Sequence, residues 1–476
     1  VVYDVVIIGG GVIGAAIARA LSRFQLSVIL IEKEYDLAMG ASGANSGIVH
    51  AGFDPLPDSN KASLCVRGNR LMESLCAELQ VPFKRTGSLV VGYSPDDLRV
   101  LEVLLARGRL NGLSGLEVLN QTQLMAKEPS LSPQARYALY APQAGIVCPY
   151  TLTLALAENA VQNGVEVQCG TRADGIQREQ GRVSGVVTSR GLIPCRYVVN
   201  AAGVWSDEVA NWAGSDSHTI MPYRGEYCLL DKKKGGLVRQ VLFPIPGEKT
   251  KGILVAPTVS GNILLGPNRR LVQDREDRAT TDEGMDEVLT GAKKLVPGID
   301  EKDVITSFAG IRAVSDSGEF VIGTADLKGF INVGGIQSPG LTAAPAIAEM
   351  VTDILGEEGL RLREKPGYIP RRTGIFSFAA AGMEERQSQI AENRSFGEVV
   401  CRCENVTTGE IIAAINGPVG ARTLDAVKRR TRGGMGRCQG GFCSFRIADI
   451  ISSELGIPVD KITKSGPGSE LVRSRT

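Results

Sequence analysis

Asp4-Val-Val-Ile-Ile-Gly-Gly-Gly-Val-Ile-Gly14 decides the fold of the first part of the chain. An apolar run of strand length, residues 3–8, enters a turn with glycine at 9, 11 and 14, and a helical pattern over 12–23 continues from it without a break. A second apolar run, 27–32, ends on Glu32, 18 residues after Gly14. Strand, turn, helix and strand at these spacings read as a βαβ unit that binds a dinucleotide. Gly9, Gly11 and Gly14 let backbone amides and a helix N-terminus approach a pyrophosphate. The Glu32 carboxylate stands where an adenosine ribose presents its hydroxyls. A lone Gly-x-Gly-x-x-Gly also occurs in turns without a ligand; the flanking strands and the acid supply the context here.

Three segments rich in small residues bear on whether the dinucleotide is a flavin or a nicotinamide. Gly40-Ala-Ser-Gly-Ala-Asn-Ser-Gly-Ile-Val-His50 is small and polar, suited to threading beside a pyrophosphate and an isoalloxazine ring, with Ser42, Asn45, Ser46 and Gly47 as candidate contacts. Val198-Val-Asn-Ala-Ala-Gly-Val-Trp-Ser206 offers Ala202 and Gly203. Gly334-Gly-Ile-Gln-Ser-Pro-Gly-Leu-Thr-Ala-Ala-Pro345 offers Gly335, Gly340, Leu341 and Thr342. A helix starting near Leu341 would aim its N-terminus at the ring and stabilise the negative charge of a reduced flavin.

At the other end, Cys401-Arg-Cys403 and Cys438-Gln-Gly-Gly-Phe-Cys443 form two close pairs with 34 residues between the inner cysteines. Such a quartet holds either a zinc ion or a [2Fe–2S] cluster; a Cys-x-Cys pair is less usual for structural zinc, and the spacing favours iron–sulfur. Thr407-Thr-Gly-Glu410 reads as a capping box opening a helix, with further helices over 423–431 and from Ser444. Within residues 422–437, Arg422, Lys428, Arg429, Arg430, Arg432 and Arg437 stand against one acid, Asp425, and are expected to offset the charge of the cluster. The alternative for this stretch is a solvated basic helix.

Composition narrows the function classes. Lysine plus arginine total 53 against 52 aspartate plus glutamate, a formal charge of +1, so no global field gathers nucleic acid or an anionic membrane. The N-terminus opens on a strand without a signal-peptide pattern, and no apolar stretch of about 18 residues occurs. Cys65, Cys76, Cys148, Cys169, Cys195 and Cys228 are scattered among apolar neighbours, as core filling in a reducing compartment. A soluble cytoplasmic protein is expected, peripheral to a membrane only through partners.

Periodicity predicts helices over 62–80, 99–109, 121–127, 150–163 and 282–295, and strands over 86–92 and in several runs between 165 and 201. Residues 219–268 hold β-rich runs cut by Gly and Pro, a mostly antiparallel sheet. Around 352–397 basic residues and prolines read as a connector that wraps the main body and ends in a helix at about 382–392.

Ser46-Gly-Ile-Val-His-Ala-Gly-Phe53, Arg224-Gly-Glu-Tyr227, Leu264-Leu-Gly-Pro267, Ala309-Gly-Ile-Arg312 and the 334–345 segment resemble FAD-dependent oxidoreductases of the D-amino-acid oxidase type, in the glycerol-3-phosphate and L-2-hydroxyglutarate dehydrogenase branch. The last part resembles BFD-like [2Fe–2S] domains fused to anaerobic-type glycerol-3-phosphate dehydrogenases. The resemblance implies an α/β fold: a Rossmann-type FAD-binding domain (1–80, 145–218, 306–352), an interleaved α+β substrate domain (81–144, 219–305), the connector (353–397) and a small helical cluster domain (398–476). It places His50 near the flavin as the base, against the alternative of a structural histidine; His218 reads as structural.

Arg312, in the small apolar run Phe308-Ala-Gly-Ile-Arg-Ala-Val, becomes the anchor for a carboxylate or phosphate, against an ion pair with Asp316 or Glu319. Arg224, Tyr227 and Lys61 are further substrate candidates. The implied activity is oxidation of sn-glycerol 3-phosphate, with electrons passing through the cluster to a second flavoprotein subunit. L-2-hydroxyglutarate, amino-acid or opine dehydrogenase, and a non-catalytic electron-transfer subunit, are the rivals.

Overall fold

The computed structural model describes residues 1–247 and 252–471. Residues 248–251 of the β-rich stretch and 472–476 of the small domain lie outside the described residues. Tyr3–Ile8 is a central strand because its inner residues, Val5 to Ile8, are apolar on both faces, as a parallel strand covered by helices requires. It pairs in parallel with Val28–Ile31 on one side and with the end of Gly191–Asn200 on the other. The long Gly191–Asn200 strand first runs antiparallel to Arg182–Thr188 and then parallel to Tyr3–Ile8 and Phe330–Gly334. Among the described residues these strands belong to an eight-stranded sheet. Val12–Leu21, Pro149–Gln162 and Gly340–Glu357 pack on one face around Ile7, Ile17, Leu30, Leu152 and Ile347, all fully buried. Each such side chain contributes roughly 1.5–3 kcal/mol.

A nine-stranded sheet forms the second body, built around Ile220–Leu230. Val304–Ser315 pairs antiparallel along that strand, from Ile220↔Ser315 to Leu230↔Val304. The strand that carries Arg312 therefore lies in the same sheet as Ile220–Leu230, across the boundary expected at residue 306. The helix at the flavin-side segment likewise runs to Glu357, past the boundary expected at 352. The helix expected over 99–109 spans Pro95–Leu110, because Ser94 and Asp97 form a capping box with proline in the first turn.

Residues 358–382 cross the surface of the first body. Gln25 N donates to Arg363 O (2.8 Å), Asn163 Nδ2 to Ile369 O (2.8 Å), and Arg372 pairs with buried Glu158. Beyond the Met383–Glu392 helix, three helices, Thr408–Asn416, Leu424–Thr431 and Ser444–Leu455, close on Ile411, Ile415, Val427, Ile447 and Ile451. Thr407 and Glu410 cap the first of them reciprocally.

Arginines lock this small domain to the rest. Arg430 donates to both Asp36 oxygens (2.8 and 2.9 Å) and Arg429 to Oδ2 (2.7 and 3.0 Å). Arg432 and Lys232 share buried Glu404, each at 2.7 Å, and Arg432 also reaches Asn262 Oδ1 (3.2 Å). Arg429, Arg430 and Arg432 of the basic stretch thus fasten the small domain to the two large bodies. Burial works against the Asp36 carboxylate, but Arg430 and then Arg429 outweigh it and hold its pKa below the usual range. A depressed carboxylate contributes its full stability above about pH 4 and loses it as pH falls through its own lower pKa. Asp36→Ala should cost roughly 3–5 kcal/mol of docking stability by leaving the buried Arg430 guanidinium without its carboxylate. Faster amide exchange over 419–432 and new proteolysis within 358–382 would register the loss; unchanged exchange would show that the pair contributes nothing.

Candidate active site and cluster site

A cavity of about 560 Å³ opens between the two large sheets. Its first wall is the glycine turn. Gly9 has φ +114°, and a Cβ there would stand 2.4 Å from Ala201 O; one on Gly14 would stand 2.0 Å from Gly9 O. The turn, the 198–206 segment and the first helix thus touch backbone to backbone, which brings Gly11, Val12 and Ile13 of the helix N-terminus to the cavity. Ser42 Oγ accepts from Val12 N (2.9 Å), tying the 40–50 loop to the same point. Asn45 folds that loop, donating to Ala41 O (3.0 Å) and Ser42 O (3.1 Å) and accepting from Gly47 N (2.8 Å).

Glu32 closes the second strand and accepts from Gly10 N (2.6 Å) and Glu34 N (2.9 Å). Burial pushes its pKa up, against the pull of those two amides. Beyond it, Trp205 lies under Lys33 and Arg275, 4.8 and 5.4 Å from the ring centre. Arg275 forks onto Asp207 (2.6 and 2.8 Å), and Arg278 donates to Met39 O (2.8 Å), so the 275–278 segment folds across the end of the second strand. Opposite, the Gly340–Glu357 helix turns its N-terminal residues Gly340 and Leu341 to the cavity. A glycine-lined turn, a carboxylate at the strand end and two helix N-termini fit FAD.

Of the expected cofactor residues, Gly9, Gly11, Glu32, Ser42, Asn45, Ser46, Ala202, Gly203, Gly340 and Leu341 line the cavity. Gly14, Gly47, Gly335 and Thr342 stand behind it: Gly47 and Gly335 hold positive φ, and Thr342 is fully buried. Thr342 Oγ1 accepts from His50 N (2.9 Å), and Asn69 Nδ2 donates to His50 O (2.8 Å). The His50 ring stacks on Phe243 at 5.9 Å, with Nε2 3.2 Å from Ser338 Oγ.

Arg312 lines the same cavity. Its Nη2 donates to Asn268 O (2.9 Å), and its guanidinium meets the Tyr227 hydroxyl. Among the described residues it pairs with neither Asp316 nor Glu319 nor any other carboxylate. Tyr227 stacks on Phe308 at 5.0 Å; burial raises its hydroxyl pKa despite the neighbouring arginine. Arg269, also on the cavity wall, lies 4.0 Å over Tyr223.

Two expected substrate contacts lie elsewhere. Arg224 is buried and bonds Asp277 (2.5 Å), because side chains alternate along a strand and it shares the far face with Glu226 rather than with Tyr227. Lys61 donates to Gly318 O and covers Phe320, away from the cavity lining. His218 is held between Ser206 and Ser217, 3.0 Å from each, and burial lowers its pKa. Ser338, Phe243, Trp205 and Arg275 were not singled out from the sequence. Ser338 and Trp205 stand in the small-residue segments; nothing local marks Phe243 or Arg275.

The four terminal cysteines form two thiol pairs. Cys403 Sγ lies 3.7 Å from Cys438 Sγ, and Cys443 hydrogen-bonds Cys401. That bond, with the amides of Gly434 and Glu404, lowers the Cys401 pKa to about 6. Four cysteines in two such pairs offer the thiolate set of a [2Fe–2S] cluster.

The fold and cavity define a flavin-dependent oxidoreductase, and the chain belongs to the FAD dependent oxidoreductase family, whose model matches residues 4–354. The BFD-like [2Fe-2S] binding domain matches residues 399–453; the cofactors are FAD and a [2Fe–2S] cluster. The chain is 42% identical over 475 residues to glycerol 3-phosphate dehydrogenase of Caloramator mitchellensis, across 100% of this chain and 99% of that one. It is 30% identical over 410 residues to mitochondrial L-2-hydroxyglutarate dehydrogenase of Homo sapiens, across 74% and 88%. The dithionite-reduced, FAD-bound L-alpha-glycerophosphate oxidase of Mycoplasma pneumoniae superposes with a TM-score of 0.74 at 30% identity, covering 78% of this chain and 98% of that one. Among the described residues no helix is long and apolar enough to cross a membrane.

Losing a charge-assisted bond costs roughly 1.5–3 kcal/mol. Arg312→Met should therefore lower kcat/KM for an anionic substrate by roughly 10- to 100-fold, with FAD content unchanged and partial rescue by Arg312→Lys. Equal kinetics in all three proteins would remove Arg312 from substrate binding.

Proposed function

We propose that the protein oxidises sn-glycerol 3-phosphate to dihydroxyacetone phosphate and passes the electrons through its [2Fe–2S] cluster to a partner. The observation that carries this reading is Arg312, which faces the cavity with no carboxylate partner among the described residues and shares it with His50. A planar fork in that position binds phosphate through paired N–H donors. The full-length likeness to the Caloramator dehydrogenase, cluster domain included, supports the same substrate.

When bound, FAD supplies a two-electron acceptor able to take a hydride, and the cluster supplies a one-electron carrier. Arg312, with Arg269 on the same wall, holds the phosphate so that the secondary alcohol lies toward the helix N-terminus at Gly340. His50 takes the hydroxyl proton as the C–H bond breaks, and Ser338 at 3.2 Å sets the orientation of its ring. Phe243 and Leu254 on the cavity wall limit water around the reacting carbon. The ion pairs at Asp36 and Glu404 hold the cluster domain against both large bodies, so transfer to it needs no encounter between molecules.

A second reading has support from the human relative: a 2-hydroxy acid such as L-2-hydroxyglutarate presents a carboxylate to the same arginine. Anaerobic addition of each compound separates the two, because the flavin's visible absorption bleaches with the true substrate. Glycerol 3-phosphate should bleach it rapidly and L-2-hydroxyglutarate should not; the reverse result would overturn the assignment. His50→Asn should slow bleaching by roughly 10²- to 10⁴-fold, the contribution of a positioned base. Cys438→Ser should bleach normally and yet fail to reduce the acceptor, whereas wild-type turnover in that variant would exclude the relay.

A further inference from the structure

The cysteine quartet is lopsided. Cys401 and Cys443 sit in the small domain's apolar core, whereas Cys403 is exposed and Cys438 half-exposed. A cluster held by the four therefore turns its Cys403–Cys438 edge outward. Phe442, 91% exposed, and Phe445, 62% exposed, flank Cys443, one on the ligand loop and one in the first turn of the following helix, and the Phe442 amide hydrogen-bonds the Cys438 sulfur of that edge. No other large aromatic among the described residues is as exposed as Phe442. Arg402, between Cys401 and Cys403, Arg437, next to Cys438, and Arg446, next to Phe445, are exposed, with Asp449 one turn further along the helix; Arg437 stands 4.0 Å from Asp231. Arg446 Nη1 donates to Val399 O (3.4 Å), which joins this helix turn to the strand leading into Cys401.

We propose that this face, centred on Phe442 and Phe445, is the docking surface for an acidic one-electron redox protein that collects electrons at the Cys403–Cys438 edge. The proposal rests on the relay reading above and adds the partner's chemistry and its place of contact. Aromatic anchors beside a redox edge give a desolvated centre, and three guanidiniums against two carboxylates, Asp449 and Asp231, leave an excess of positive charge that asks for an acidic rim. A second copy of this chain would set arginine against arginine. A lipid surface would satisfy the charges but brings no one-electron acceptor of its own. The two electrons released when a substrate alcohol becomes a ketone leave one at a time, in two encounters, each reducing one acidic carrier, while two protons pass to solvent.

The test uses the full-length protein loaded with FAD and cluster, and two purified probes, an acidic flavodoxin and a plant-type ferredoxin. Binding to each is measured by calorimetry at low and high salt for the wild type, Phe442→Ser/Phe445→Ser and Arg446→Glu. The expected result is salt-sensitive binding of at least one carrier, weakened about tenfold or more in both variants, with the cluster's visible spectrum and substrate bleaching of the flavin unchanged. Absence of salt-sensitive binding in the wild type, or equal binding in all three proteins, would overturn it. So would wild-type binding to phosphatidylserine vesicles, or concentration-dependent self-association, that is lost in the double variant while the carriers bind unchanged. Failure of glycerol 3-phosphate to bleach the wild-type flavin refutes the substrate assignment instead and leaves the carrier titration readable.

Discussion

Direct backbone contact around the cavity is the constraint on which the remaining structure depends. The glycine turn meets Ala201, and Gly310 of the substrate sheet would put a Cβ 2.3 Å from Ala44 O. Three segments far apart in sequence therefore close on one another only because no side chain intervenes. The 40–50 loop, held from one side by Val12 and from the other by Gly310, is the element that carries His50. The strand that carries Gly310 also carries Arg312, so the same contact sets the distance between base candidate and anchor candidate.

The cluster domain depends on a different interaction. Asp36 follows the Val28–Ile31 strand and Glu32, so the loop that borders the Glu32 side of the cavity also receives Arg429 and Arg430. A buried carboxylate with two guanidiniums is a directional fastening, and its removal from one side leaves an uncompensated charge. Cofactor cradle and cluster docking share a single short loop.

Much of this was legible in the sequence. The βαβ unit, the small-residue segments, the capping box at Thr407 and the cysteine quartet are local patterns, written in spacing and composition. Other features failed for physical reasons. Arg224 and Tyr227 are three apart on a strand, an odd separation that sends them to opposite faces; the alternation was available but needed the strand's limits to be used. Ser94-Pro-Asp-Asp97 carries a helix-start signal that lengthens its helix by a turn. Asp36 carries no such mark, because its importance arises from arginines about four hundred residues away.

By itself the sequence determined the fold class, the dinucleotide turn, the ligands available to a metal cluster and the short roster of groups able to do acid–base chemistry, since two histidines leave little choice. These follow from local periodicity and from glycine's lack of a Cβ. Tertiary structure decided which cations face the cavity and which are spent elsewhere. Arg312 faces it, Arg224 is taken by Asp277, and Arg429 and Arg430 are held by Asp36. A charged side chain's role depends on which opposite charge burial brings beside it, and that is fixed by packing between segments remote in the chain.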